Sequence, residues 1–348
     1  MELRSDDITT NISKVFIRAA RLPGDATGSS AFWDSVIVTP YNADISVSHD
    51  EEEVVVYNPE ATWATVGATS PPPARQAHSA VVYDEAMYVF GGERSAYEYS
   101  DVWKYDFKED TWAFQAPVNS SAAIGRHDHS AVVYNDAMYV YGGRSPSPRD
   151  DFWKYDFRTR EWVPMPTSPK MSARFGHGAA VHDDIMYVFG GWTEEENMLT
   201  NEIWEFDFHD EKWTKVGPRK VNFELTVEDP ADAIIFPQQI PSPRFPQDVI
   251  ITGMIPAMYV VGGVGGDSMM EELPELWKFD LESKTWTLLA THPLLGRTDG
   301  AAALLSKGDF YKHVMLYGGR ANGKVLGDLV TMFVGETGTG KMMMTARP

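Results

Sequence analysis

The sequence predicts an all-β protein in which four-stranded antiparallel sheets repeat around a closed ring. Three observations carry that expectation. A module spanning residues 75–112, RQAHSAVVYDEAMYVFGGERSAYEYSDVWKYDFKEDTW, returns at 126–162 and 174–213, and again with less fidelity from Arg244 and from Arg297. Glycine pairs at 91/92, 142/143, 190/191, 262/263 and 318/319 follow one another at steps of 51, 48, 72 and 56 residues. Each module also holds short runs rich in β-branched and aromatic residues, separated by small polar turns. A sheet unit repeating near every fifty residues cannot bury both its faces alone, whereas a ring of such units leaves no face unpaired.

Taken in order, residues 1–34 form an N-terminal segment. Within it KVFIRAARL (14–22) suits a strand or a short amphipathic helix, and 23–30 is a Gly/Ser-rich linker. Residues 35–63 form a degenerate first copy that lacks a glycine pair and ends on Trp63. In the second copy HSAVVY and MYVF meet at the turn Asp84, Glu85, Ala86. The segment 102–107 then sets Trp103, Tyr105 and Phe107 on one face and Lys104 and Asp106 on the other. Gly91 and Gly92 end the second strand, where the missing Cβ lets an aromatic ring of the adjacent sheet lie on the backbone. The closing residues Trp63, Trp112, Trp162, Trp213 and Trp286 read as core wedges. An insertion at about 217–243 accounts for the 72-residue step. Its Ile234, Ile235 and Phe236 read as a flap folded onto the ring, because exposing three bulky apolar residues is unfavourable. The last copy lacks its tryptophan. Its outer strand is expected either from the C-terminal stretch 335–348, through KMMMTAR, or from residues 14–22 acting as a ring-closing strand beside DLVTMFV.

Composition narrows the function. The chain has 50 acidic and 30 basic residues, a formal net charge of −20, which repels phosphate backbones and anionic lipid headgroups. No nucleic-acid partner and no membrane insertion are expected. The longest apolar run, from Val249, is interrupted by Thr252, Gly253 and Pro256. With no cysteine, the chain has no disulfide, thiolate metal site or nucleophilic thiol. The acidic start MELRSDDITT does not have the form of a secretory signal, so the expected location is cytoplasmic, with a cytoskeletal association as one form of it.

Two motifs suggest chemistry and are better explained otherwise. GETGTGK (335–341) has the spacing of a phosphate loop, but Met342 stands where Ser or Thr is required, and the repeat places a hairpin turn there. His78, His129 and His177 share one position of the innermost strand and would suit a metal if they converged. Later copies put Gln247 and Gly300 there, which points to a structural hydrogen bond. The repeated arginines 75, 126, 174, 244 and 297 likewise track the repeat.

The recurring unit of Arg, a His-bearing strand, a glycine pair, an aromatic strand and a closing Trp resembles the kelch repeat. The match runs over about 35–334. It implies a kelch-type β-propeller of six blades, each of four antiparallel strands, with five or seven blades as alternatives. Some kelch propellers are enzymes. The copper oxidase type needs a Tyr–Cys crosslink, and the iron-dependent specifier type carries Glu, Asp and His at intervals of four in one loop. Neither pattern is present, and sugar-isomerising relatives supply the enzyme alternative. The resemblance implies a non-catalytic adaptor or scaffold, without cofactor or metal, working as part of a complex. A BTB segment of the kind carried by many ubiquitin-ligase adaptors is not found. A second reading is a fixed structural subunit of a cytoskeletal or other large assembly. The acidic balance predicts partners with a basic surface. In such blades the loops joining second to third strands share one face with the inter-blade loops, and here they vary while the short turns stay constant. Arg94, Tyr97, Tyr99, Arg144, Arg149, Trp192, Met269, Met270 and Arg320 are the predicted partner-binding residues, since exposed aromatics, Met and Arg are favoured interface anchors.

Overall fold

The structure, a computed structural model, describes residues 15–16, 37–38, 69–95, 97–118, 124–195, 197–217, 240–245, 248–252, 256–265, 271–307, 311–326, 329–333 and 344–347. Among them the only helical element is the short 3-10 turn Pro293–Leu295. The rest is strand and turn. Most of the degenerate first copy with Trp63, the body of the insertion, the 335–341 motif, and Met269 and Met270 lie outside the described residues.

Among the described residues five four-stranded antiparallel sheets follow one another, each with its strands side by side in sequence order, and in four of them a short hairpin of two-residue strands, belonging to a separate sheet, lies between the second and third strands. The first comprises Ser79–Tyr83, Ala86–Phe90, Val102–Asp106 and Thr111–Phe114. The second has Ser130–Tyr134, Ala137–Tyr141, Phe152–Asp156 and Trp162–Met165. The third has Gly178–His182, Ile185–Phe189, Ile203–Asp207 and Lys212–Gly217. The fourth has Asp248–Thr252, Ala257–Val261, Glu275–Asp280 and Thr285–Thr291, and the fifth Ala301–Lys307, Tyr311–Tyr317, Leu329–Phe333 and Met344–Arg347. The first strand of each sheet lies against the first strand of the next, so these five are the innermost strands of a propeller. The last sheet takes its outer strand from the C-terminal stretch, with Val330 opposite Ala346 and Thr331 opposite Thr345. Val15–Phe16 does not join that edge. It pairs with Ile37–Val38 and lies beside the innermost strand of the fifth sheet.

The core sits between sheets. Second strands are buried at every position in Ala86–Phe90, Ala137–Tyr141 and Ala257–Val261; a neighbouring sheet covers each face of the latter two, and the second sheet covers one face of the first. One apolar cluster joins Phe90 and Val102 of the first sheet to Val140, Tyr155 and Trp162 of the second. Equivalent clusters place Trp213 against Tyr141 and Trp286 against Phe189, so Trp162, Trp213 and Trp286 wedge between adjacent sheets, while Trp112 packs on Tyr105 of its own sheet. The third strands depart from the simple alternation read in the sequence. Val102 and Tyr105 are buried while Trp103 is only partly so, because both faces of a blade are covered and one side cannot be assigned to solvent.

The recurrent arginines are interior. Arg126 is fully buried and donates from Nη1 to Gly142 O at 3.0 Å and from Nε to Ile124 O at 3.1 Å. Its fork grips Asp151 through contacts of 2.6 and 2.8 Å, and the Trp153 indole donates to the same carboxylate at 2.8 Å. The arrangement of Arg, carboxylate and indole recurs as Arg75, Asp101, Trp103, as Arg174, Glu202, Trp204 and as Arg244, Glu275, Trp277. In these four sheets it ties the start of the blade to the start of its third strand. The histidines serve the seams. His129 shares a hydrogen bond with Ser79 of the preceding sheet at 2.8 Å, and His177 does so with Ser130 at 2.9 Å. The glycine pair makes room for them. A Cβ on Gly91, at φ +67°, would stand 2.8 Å from the His129 ring and 2.7 Å from Arg126 O, while one on Gly92 would meet the His78 Cβ at 2.8 Å.

Candidate functional site: the mouth of the ring

The residue after each buried arginine varies around the ring: Gln76, His127, Phe175, Phe245 and Thr298. Each pairs through its backbone with the first loop residue beyond the glycine pair, giving the couples Gln76 with Glu93, His127 with Arg144, Phe175 with Trp192, Phe245 with Val264 and Thr298 with Arg320. The bonds of the second couple are 3.2 and 3.0 Å, and those of the last are 3.0 and 2.8 Å. Neighbouring couples are laced together, since Asp128 N donates to Ala77 O at 3.0 Å and Gly176 N to Asp128 O at 2.8 Å. A constant backbone scaffold therefore presents five variable pairs side by side on the loop face.

Their chemistry changes around the ring. Gln76 donates its amide to Glu93 Oε1 at 2.9 Å. His127, more than nine-tenths buried, accepts at Nε2 from Arg144 Nε at 2.7 Å, and its Nδ1 has no hydrogen-bond partner. Around that imidazole stand Glu98 Oε1 at 3.6 Å, Asp128 Oδ2 at 3.7 Å and Glu93 Oε2 at 3.9 Å. The other oxygen of Glu98 accepts from the Ser145 hydroxyl. Arg144 also approaches Asp128 at 3.4 Å and lays its guanidinium 4.7 Å above the Phe175 ring. Phe175 in turn packs on Trp192 at 5.2 Å and edge-on to Phe245 at 5.9 Å. An acidic sector thus passes through Arg144 into an aromatic one.

The residues predicted from the sequence distribute unevenly over this face. Arg144 and Trp192 belong to the mouth. Arg94 and Tyr97 oppose each other at an outer hairpin, both exposed, with Tyr97 at 65%. Arg320 is exposed within its couple. Tyr99 and Arg149 are engaged within the blades: the Tyr99 ring carries the buried Arg75 guanidinium at 4.0 Å, and Arg149 Nε lies 3.3 Å from the same Asp151 that holds Arg126. Gln76, His127, Phe175 and Phe245 went unread. The signal for them was present, as the position that varies directly after an invariant arginine. Among the described residues no group of three or more His, Cys, Asp or Glu is arranged to hold a metal ion, and no helix is long and apolar enough to cross a membrane.

Four-stranded sheets, buried arginine forks and glycine-seated histidines define a kelch β-propeller. The chain matches the KLHDC2/KLHL20/DRC7 Kelch-repeats domain over residues 43–224 and belongs to that family. It is 42% identical over 76 residues to human Kelch domain-containing protein 3, covering 21% of this chain and 20% of that protein. It is 40% identical over 79 residues to the Leucine-zipper-like transcriptional regulator 1 homolog of Drosophila melanogaster, 22% of this chain and 8% of that one. Host cell factor homolog hcf-1 of Caenorhabditis elegans is 33% identical over 92 residues, 24% of this chain and 12% of that protein. The chain thus spans at most a fifth of the length of these relatives. A kelch-repeat domain is in general a protein-interaction module.

Proposed function

We propose that this chain is a non-catalytic adaptor or scaffold subunit whose loop face, centred on the mouth of the ring, binds a partner protein with a basic surface. The Val15–Phe16 and Ile37–Val38 pair would begin a sixth blade beside the fifth sheet. The observation that carries the reading is the contrast between an invariant interior and a variable mouth. Arginine, carboxylate and indole recur inside four of the sheets, with only Asp and Glu exchanged, while the paired positions above run through Gln–Glu, His–Arg, Phe–Trp, Phe–Val and Thr–Arg. Variation mounted on a rigid frame is the form a recognition surface takes.

The net charge of −20 supports a partner of opposite sign, met at rates that fall as salt rises. A cytoplasmic setting fits the same reading. Crosslinking mass spectrometry in the native cell tests it by returning partner and contacted face together. Crosslinks are expected on the loop face, and joint replacement of Tyr97 and Trp192 by Ala, which removes apolar anchors and leaves the charge unchanged, is expected to abolish partner capture. Crosslinks confined to the short-turn face, or capture that survives the double replacement, would overturn the reading.

A further inference from the structure

The mouth carries more information than its role as a surface. Glu93 and Glu98 each spend one carboxylate oxygen inside the protein, Glu93 Oε1 on the Gln76 amide and Glu98 Oε2 on the Ser145 hydroxyl. The remaining oxygen of each turns toward His127 without reaching hydrogen-bond distance, Oε2 of Glu93 at 3.9 Å and Oε1 of Glu98 at 3.6 Å. His127 cannot satisfy them. Its Nε2 is the acceptor for Arg144, so the ring proton sits on Nδ1, and that Nδ1 is buried with no partner. A buried imidazole N–H with no hydrogen-bond partner, which is costly to leave unpaired, therefore stands beside two carboxylate oxygens directed at the same ring. Both carboxylates are about a quarter exposed, so they are reachable from solvent.

The adjoining sector is apolar. Phe175, Trp192 and Phe245 pack into one aromatic shelf, and each remains partly exposed. Only Arg144 separates shelf from acids, with its guanidinium on Phe175 and its Nε on His127. Resting on the loop-face reading, we propose that the mouth is a two-part peptide site. Its occupant is an extended segment of a partner protein that carries a lysine or arginine side chain to Glu93 and Glu98 and, beside it, a bulky apolar side chain onto the Phe175, Trp192 and Phe245 shelf. The cation supplies donors to the two spare oxygens. With those oxygens neutralised, Glu98 closes on the Nδ1–H of His127. The apolar side chain takes the shelf out of water, and the two demands together select a basic residue next to an apolar one.

Selection of a phage-displayed random peptide library on the full chain tests this, followed by anisotropy titration of the fluorescein-labelled consensus peptide. Clones are expected to carry Lys or Arg adjacent to Leu, Met, Phe or Trp. The double variant Glu93→Gln/Glu98→Gln should weaken the consensus peptide about tenfold or more and remove most of its salt dependence. Phe175→Ala should relax the apolar preference while the basic preference stays. Glu98→Asp, which keeps the charge, should bind more tightly than Glu98→Gln, and unchanged melting curves establish that the variants fold. An acidic consensus photocrosslinked to the loop face would overturn this proposal and leave the loop-face reading standing. Crosslinks on the outer strands would overturn both. A library that yields no enriched clone, or a consensus indifferent to the Glu93→Gln/Glu98→Gln change, would also overturn the two-part site.

Discussion

At the scale of single residues, the ionisable groups inside the blades report on folding and those at the mouth on function. His177 is the clearest interior case. Burial first, and then the charge of Arg174, hold its pKa down from 6.5 to about 3. Since the unfolded chain takes up a proton that the folded one refuses, stability is fully present above about pH 6.5 and falls as pH drops toward 3, by at most ~1.4 kcal/mol per pH unit. Glu202 adds a second loss at lower pH. Burial pushes its carboxyl up, but hydrogen bonds from Arg174, Lys215 and Trp204 outweigh it and bring the value from 4.5 to about 2. Its contribution is lost as pH falls through that window. Urea denaturation at a series of pH values should therefore show wild type losing stability from mildly acidic pH downward. The His177→Gln variant should start lower and decline less steeply above the Glu202 range. Parallel profiles for the two proteins would mean that His177 takes up no proton on unfolding. That these residues were structural was legible, because Arg, His and Gly recur with the repeat and a function seldom does so in every copy. The residues of the mouth were not, because Gln76, His127 and the pair Phe175 and Phe245 differ in chemistry, and only the backbone register makes the four positions equivalent.

At the scale of elements, strand positions could be read because apolar runs and polar turns repeat, but the first hairpin turn is one residue shorter than Asp84–Ala86, since Ala86 already pairs with Tyr83. Asp84 and Glu85 both adopt positive φ, the twist a two-residue hairpin connection needs. Which face each third strand buries could not be read. Alternation assumes one dry side, and Val102 and Tyr105 are buried on opposite sides of a sheet that is covered on both. The glycine pair shows how tightly neighbouring elements are matched. Gly142 sits at φ +61°, and a Cβ there would stand 2.7 Å from Arg174 O and 2.9 Å from the His177 ring. The obstacle is backbone as well as side chain, so it cannot simply swing away. Gly142→Ala is expected to cost about 2–4 kcal/mol, from left-handed strain and from opening the seam between second and third sheets. Equilibrium denaturation measures it. A loss below about 0.5 kcal/mol, the range of an ordinary surface substitution, would show that the seam can part without penalty.

For the whole molecule, contacts run from each sheet to its neighbours, and the arrangement of strands in sequence order within each sheet explains why a linear repeat revealed so much of the ring. The same arrangement divides the electrostatics into two populations with opposite responses to salt. The ion pairs that hold the blades involve arginines with no side-chain exposure, Arg75, Arg126, Arg174 and Arg244, and are screened less by added ions than pairs with both partners at the surface. The surplus of acids, 50 against 30 basic residues, is a long-range self-repulsion. Raising ionic strength from about 0.02 to about 0.5 M shortens the screening length from roughly 20 Å to under 5 Å, which removes the repulsion and spares the buried pairs. The melting temperature of the isolated chain should therefore rise with sodium chloride, while its association with a basic partner slows over the same range. Differential scanning fluorimetry and stopped-flow association read the two effects separately. Lys284 with Glu205, a pair that joins two sheets, and Lys215 with Glu202 are partly exposed and work in the other direction. A melting temperature that falls with salt would mean that these accessible bridges, rather than the buried arginine forks, carry the electrostatic stability of the ring.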